Sequence, residues 1–275
     1  MKIQISKDDF EQSILAATSS HSEVFESVEP HFKVSYLRLS QQILGEVGEA
    51  ALETSDDLRE AVIKAVCLDA FLGVVRHLDL VLTPTGFGVV ANNEVTPASS
   101  SRVEALIEQC RIALIVAQDT VMSHLTVVSG WGSTLQAQQG IQTVVWSMEG
   151  YCYLTRQTSM TSKDWMSKLA AMQEADATLR KLVSDEQMDD IMCLVRGVRE
   201  GNEFEGCVRL MLSRSLIMLA NDMLSAYSNE RARLLRYFDA HLDNFPIYAD
   251  SSAYKANHFK EFNNEKSKPA FVFNA

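Results

Sequence analysis

Four carboxylates, Asp185, Glu186, Asp189 and Asp190, fall within about one turn of a helix-patterned stretch. Such a cluster can take a metal ion, or act as an acid and base, if a second helix answers with histidine or glutamate. The nearest helical partners offer no Glu-x-x-His spacing of the kind di-iron bundles use, so the cluster reads as a solvated face that favours a helix N-terminus. His77 and Asp79 flank a leucine at the end of another helical run, where they could serve as a base and its orienter. With no serine or cysteine beside them in a motif, His77 reads as a cation complementing a helix C-terminus. His124 lies on an apolar helical face and reads as a core or interface histidine, and Trp131, Trp146 and Trp165 read as anchors. Arg231, Arg233 and Arg236, at i, i+2 and i+5, spread around their helix instead of forming one phosphate-binding stripe. The patterns GxxxxGK, GxGxxG, HExxH and GxSxG are absent, which leaves nucleotide, zinc-protease and serine-hydrolase routes unsupported. No catalytic residue, metal or cofactor is expected.

The elements that position these residues are helices. Residues 8–17 place Phe10, Ile14 and Leu15 on one face, and 34–52 repeat the pattern through Leu37, Ile43, Leu44 and Val47. Ser55 followed by two aspartates predicts a capped helix whose run 58–75 is apolar enough to be central. Ser101-Arg-Val-Glu104 matches a capping box ahead of a long helix reaching about residue 129, where Gly130-Trp-Gly132 interrupts it. No proline occurs between Ala98 and Phe245, and helical spacing continues through 136–148, 163–183, 186–195 and 204–226, with Ser162 and Ser184 as caps. An arginine-rich helix over 229–242 closes the body, expected to span 1–244.

Two stretches break this texture. Residues 78–97 turn into strand, turn and strand: polar and branched residues alternate up to Thr83, Pro84 and Gly86 supply turn chemistry, and Phe87 stands between glycines. They predict a β-hairpin arm projecting from an all-α helical bundle, with an exposed aromatic that often marks a partner contact. The bland alternative is a hairpin closing over the bundle end. After residue 244, Phe245, Tyr248, Tyr254, Phe259, Phe262, Phe271 and Phe273 are scattered among polar residues with neither helical nor sustained strand spacing. Residues 245–275 are expected to form an extended docking tail, too aromatic for a solvated one.

The chain has 275 residues, 47% of them hydrophobic, and 25 basic against 36 acidic side chains give a net charge of -11. An acidic surface repels nucleic-acid phosphate and membrane anions. Five well-separated cysteines without a C-x-x-C pair read as buried thiols in a reducing compartment. The first residues, Met1-Lys-Ile-Gln-Ile-Ser, lack an apolar leader and no apolar stretch reaches membrane-spanning length, so a cytoplasmic product without a membrane partner is expected.

Leu80-Val-Leu-Thr-Pro-Thr-Gly-Phe-Gly-Val-Val-Ala-Asn-Asn, followed by Thr96-Pro-Ala-Ser-Ser-Ser-Arg-Val-Glu104, resembles the signature of an uncharacterised family carried by phages and prophages of Bacteroidales. His241-Leu-Asp-Asn-Phe-Pro, Ser252-Ala-Tyr254, Asn257-His258 and Phe262 through Phe273 are similar to the end of the same family. Members look like virion head-tail connector or adaptor proteins. The resemblance implies a homo-oligomeric ring, twelve-fold where matched to a portal, at the neck of a virion made in the bacterial cytoplasm. Its partners would be the portal protein and tail or neck proteins, with DNA passing through without sequence-specific binding. The partner contacts would be Leu82, Pro84, Thr85, Gly86, Phe87, Gly88 and Val89 of the arm, and Phe245, Tyr248, Tyr254, His258, Phe259, Phe262, Phe271 and Phe273 of the tail. A helical-bundle metal-dependent enzyme built on residues 185–190, or a host helical adaptor, are the alternatives.

Overall fold

Helix α1 (Lys7–Ser13) opens the computed structural model, which describes residues 3–14, 23–78, 80–83, 86–89 and 99–258, the side chains of Glu23 and of 79–98 excepted. Ser6 and Asp9 close a capping box on it, each side chain accepting the other's backbone N–H, which satisfies two of the donors a helix start leaves open. Phe10 and Ile14 turn inward as their spacing predicts, while Leu15 lies outside the described residues.

The single helix expected over 34–52 is three pieces. Helix α2 (Glu23–Leu39) starts earlier, a π-helical turn (Ser40–Leu44) follows, and α3 (Gly45–Ala51) completes the run. Val28, Phe32, Tyr36 and Leu39 set the buried face of α2, so Leu37, on the opposite side, is 48% exposed instead of in the core. Carbonyls of the π turn are satisfied from outside: Trp131 Nε1 donates to Ile43 O at 2.9 Å and Gln136 Nε2 to Gln41 O at 3.2 Å.

Ser55 caps α4 (Asp56–Val74), accepting the Leu58 N–H, and this central helix buries Leu58, Val62, Val66, Leu68 and Phe71. A 3-10 turn, Val75–His77, leads to strands β1 (Leu80–Thr83) and β2 (Gly86–Val89), paired antiparallel with Leu80 opposite Val89 and Thr83 opposite Gly86. Apart from this ribbon the described elements are helical, and the fold is all-α. Helix α5 (Ser100–Leu125) packs along α4, held also by Arg76 on Glu104 at 2.9 Å. The capping box expected at Ser101 is absent. Ser99 takes the cap position without a side-chain bond to the helix, and its hydroxyl instead meets the Ser101 hydroxyl at 3.1 Å.

Trp131, fully buried, lies in a 3-10 turn ahead of α6 (Leu135–Gly140), and irregular backbone replaces the helix expected up to 148. There follow α7 (Met148–Thr155), α8 (Ser162–Val183, capped by Thr161 and not Ser162), α9 (Asp185–Val195) and α10 (Glu203–Ala220). The helix expected over 204–226 ends early: Asp222 takes φ 55 and the chain restarts as α11 (Leu224–Ala240). One apolar core runs from Phe10 and Leu68 through Leu125 and Trp131 to Leu212 and Phe238. The ends of α5 and α9 meet so closely that a Cβ on Gly197 (φ 74) would stand 1.7 Å from the Thr126 carbonyl oxygen.

The body continues past residue 244, which corrects the expectation of an extended tail beginning at Phe245. Two short helices, α12 (Pro246–Asp250) and α13 (Ser252–Asn257), pack against the chain's own helices. Phe245 and Tyr248 are buried on Phe238, with ring centroids at 4.8 and 4.4 Å. Gln187 Oε1 accepts the Tyr248 N–H at 3.1 Å, and Asn257 Nδ2 donates to Leu182 O at 3.0 Å. Pro246 at the helix start, where no intrahelical donor is needed, and the Ser251 hydroxyl accepting the Tyr254 N–H explain why such short helices form. Among the described residues no helix is long and apolar enough to cross a membrane.

Candidate interaction surface

Three of the four carboxylates of α9, those of Asp185, Asp189 and Asp190, are tied to arginines. Arg180, from the last turn of α8, reaches Asp176 and Asp189 at 2.7 Å each and Asp185 at 3.4 Å. Arg199 bridges Asp190 at 2.6 Å and Glu205 at 2.5 Å. Glu205 also closes a capping box with Asn202 at the start of α10, a signal the sequence reading missed. The hydrogen bond from Arg199 holds the Glu205 carboxyl below its ordinary range against the opposing effect of burial, and the Asn202 N–H adds to the lowering. Among the described residues, no three His, Cys, Asp or Glu side chains gather as a metal site. These groups fasten α8, α9 and α10 together.

The remaining candidates stay apart. His77 is exposed, Asp79 lies outside the described residues, and His124 is half-buried. Trp165 meets Tyr151 edge-on at 5.9 Å inside the core, and Trp146 is half-buried. Arg231, Arg233 and Arg236 face solvent, as their spacing predicts. The cysteines divide: Cys67 and Cys110 are buried, Cys152 and Cys193 half-buried, and Cys207 exposed, which corrects the expectation that all five are buried. Burial pushes the Cys67 thiol up to about 12, leaving almost no thiolate near neutral pH.

A surface that the sequence reading did not single out lies between α7 and α10. The Asp119 carboxylate, buried on α5, accepts the Met148 N–H at 2.8 Å, and the Ser147 hydroxyl accepts the Gly150 N–H at 3.1 Å. Together they fix the N-terminus of α7. Burial raises the Asp119 pKa to about 7, the Met148 N–H opposing this and Glu149 adding to it. At the far end, the Tyr151 hydroxyl and Asn221 amide are in contact at 3.1 Å, and Lys168 Nζ donates to Asn221 Oδ1 at 2.7 Å. Between these anchors run adjoining depressions of about 410, 440 and 520 Å³ that share Leu154. Tyr153 is 84% exposed there, Met223 50% and Leu210 41%. Arg156, Arg209 and Arg214 line the same trough, and among the described residues none of the three has a carboxylate within ion-pair distance.

Of the expected contact residues, Leu82, Gly86, Phe87, Gly88 and Val89 lie on the paired strands, whose side chains are outside the described residues, as are Pro84 and Thr85. Phe245 and Tyr248 are core residues, so the expectation that they bind a partner is corrected: aromatics of this size are buried against Phe238. Tyr254 and His258 stack at 4.1 Å, and His258 Nε2 is 3.0 Å from Asp239. Phe259, Phe262, Phe271 and Phe273 lie outside the described residues. The trough was hard to find in the sequence because its two walls are separate helices, yet Gly206, Leu210 and Arg214 do repeat every fourth residue.

Residues 34–134 match a family of unknown function, DUF6712. No curated protein and no solved structure matches the chain. The matched span runs from within α2 past the end of α5 and includes both strands; the trough lies outside it.

Proposed function

We propose that this chain is a non-catalytic structural subunit of a phage virion, a head-tail connector or adaptor that forms a ring below the portal. The observation that carries the reading is the trough between α7 and α10, where Tyr153, Leu210 and Met223 leave apolar surface open beside three arginines that form no ion pair among the described residues. Exposed apolar side chains beside charged ones fit a contact with another protein. The segments within 80–104 and 241–273 that resemble the phage family supply the virion setting. In this reading the hairpin arm, through residues such as Leu82 and Phe87, and the aromatic residues beyond 258 reach the portal, neighbouring copies or the tail. DNA slides past an acidic lining that does not hold its phosphates.

The arginine partners of Asp189 and Asp190 speak against a helical-bundle metal-dependent enzyme, because a guanidinium occupies the position a cation would need. Mixing the purified chain with the portal protein of the same phage, followed by negative-stain microscopy and metal analysis, tests the proposal. Rings bound to the portal, with no stoichiometric iron, manganese or zinc, are expected. A chain that leaves the portal unbound, or that carries one metal per copy, overturns it.

A further inference from the structure

Helix α10 places Gly206, Leu210, Arg214 and Ile217 along the trough at i, i+4, i+8 and i+11, a face about 17 Å long at 1.5 Å per residue. Tyr153 and Leu154 of α7 form the facing wall. Gly206 leaves this floor open, since a Cβ there would meet nothing within 4 Å. The chain carries a net charge of -11, yet Arg156, Arg209 and Arg214 border this apolar trough without an ion pair among the described residues. Its complement is a helix face that is apolar and acidic, about three turns long.

The chain carries such a face on α2. Glu26, Pro30, Val34 and Leu37 stand at the same four spacings, with Val34 56% and Leu37 48% exposed. Glu29 flanks them, and among the described residues neither Glu26 nor Glu29 is in an ion pair. Lys33 lies on the same side, and Arg38 is already engaged by Asp69 at 2.8 Å. The opposite face of α2 is packed on the body, so the helix is held rigid with this stripe outward. Pro30, inside the helix, has no N–H to give the Glu26 carbonyl, and an arginine has donors to spare for it.

We infer that α2 of one copy lies in the α7–α10 trough of a second copy, its glutamates against the arginines and Val34 and Leu37 against Leu154 and Leu210. This rests on the ring-subunit reading and names the surfaces that would join the subunits. The two patches are different parts of one chain, so the contact is head-to-tail, closing into a ring where the rotation permits. A helix laid in an apolar groove through anchors at these spacings is a recurrent mode of recognition.

Sedimentation velocity on the full chain, up to about 1 mM, is the test. The wild type is expected to self-associate. Gly206→Leu is expected to weaken association at least tenfold with helix content and melting temperature kept, since leucine favours the helix over glycine and a Cβ there meets nothing within 4 Å. Arg209→Glu with Arg214→Glu is expected to weaken it similarly, and mixing that variant with Glu26→Arg, Glu29→Arg chains is expected to restore association. A wild type that stays monomeric overturns the contact, whatever it does with the portal. Association that survives both the Gly206 block and the charge reversal also overturns it, while portal-bound rings would leave the connector reading standing.

Discussion

At the scale of single residues, Asp119 decides how the α7 wall is held. Its carboxylate accepts the Met148 N–H from a buried position, and burial lifts its pKa to about 7 against an ordinary value of 3.8. The folded state therefore keeps a proton between roughly pH 4 and 7 that the unfolded chain has released. The corresponding stability is whole below pH 4 and is lost as pH rises through about 7. Asp119→Asn keeps an oxygen to accept the same N–H but has no charge to desolvate. Its stability is expected to match the wild type near pH 4 and exceed it at pH 8 by up to about 4 kcal/mol, at about 1.36 kcal/mol per pKa unit, with a correspondingly higher melting temperature. Thermal melts of both proteins across that range check this, and a gap that does not widen with pH would remove Asp119 as a titrating anchor. Glu205 has the opposite slope. Its lowered pKa contributes stability above its unfolded value that is lost on acidification, so the comparison of variant with wild type, rather than the wild-type curve alone, isolates Asp119.

At the scale of elements, the sequence is legible where caps and periodicity agree and silent where contact is made at a distance. Ser55 and Ser184 cap α4 and α9 as their acidic first turns suggest. Three consecutive serines at 99–101 offer alternative caps, and the helix starts one residue before the one that matched a motif. The break between α10 and α11 escaped notice because it uses no glycine or proline: Asp222 tolerates φ 55, as short polar side chains do. The fragments α12 and α13 lack a legible period because each is a turn or so long and is ordered by packing on α8, α9 and Phe238. The trough joins helices more than forty residues apart in places, as between Gly150 and Gly206, which no local pattern reports. A consequence follows for truncation. Removing 245–275 deletes the buried rings of Phe245 and Tyr248 and is expected to lower stability by several kcal/mol, as Phe-to-Ala changes alone cost roughly 3–5 kcal/mol. Removing only 259–275 is expected to keep the helix signal and melting temperature while reducing portal binding. Circular dichroism melts and a portal pull-down separate the two, and an unchanged pull-down by the shorter deletion would free those aromatics from the proposed role.

At the scale of the whole molecule, charge sets what the assembled surface can hold. A net of -11 over 275 residues opposes phosphate everywhere except where cations gather, and Arg156, Arg209 and Arg214 gather in the trough. If the trough is filled by a second copy, assembly covers Arg156, Arg209 and Arg214 and leaves the ring more uniformly acidic than the monomer. Binding to duplex DNA, which depends on releasing counterions to bound lysines and arginines, should therefore weaken as the protein assembles. Fluorescence anisotropy with a labelled duplex at low salt is expected to show at most weak binding by the monomer and less by the ring. The Arg209→Glu, Arg214→Glu variant is expected to lose the monomer's residual binding. Tight, salt-dependent binding that grows on assembly would place a basic surface in the lumen and contradict passive passage of DNA.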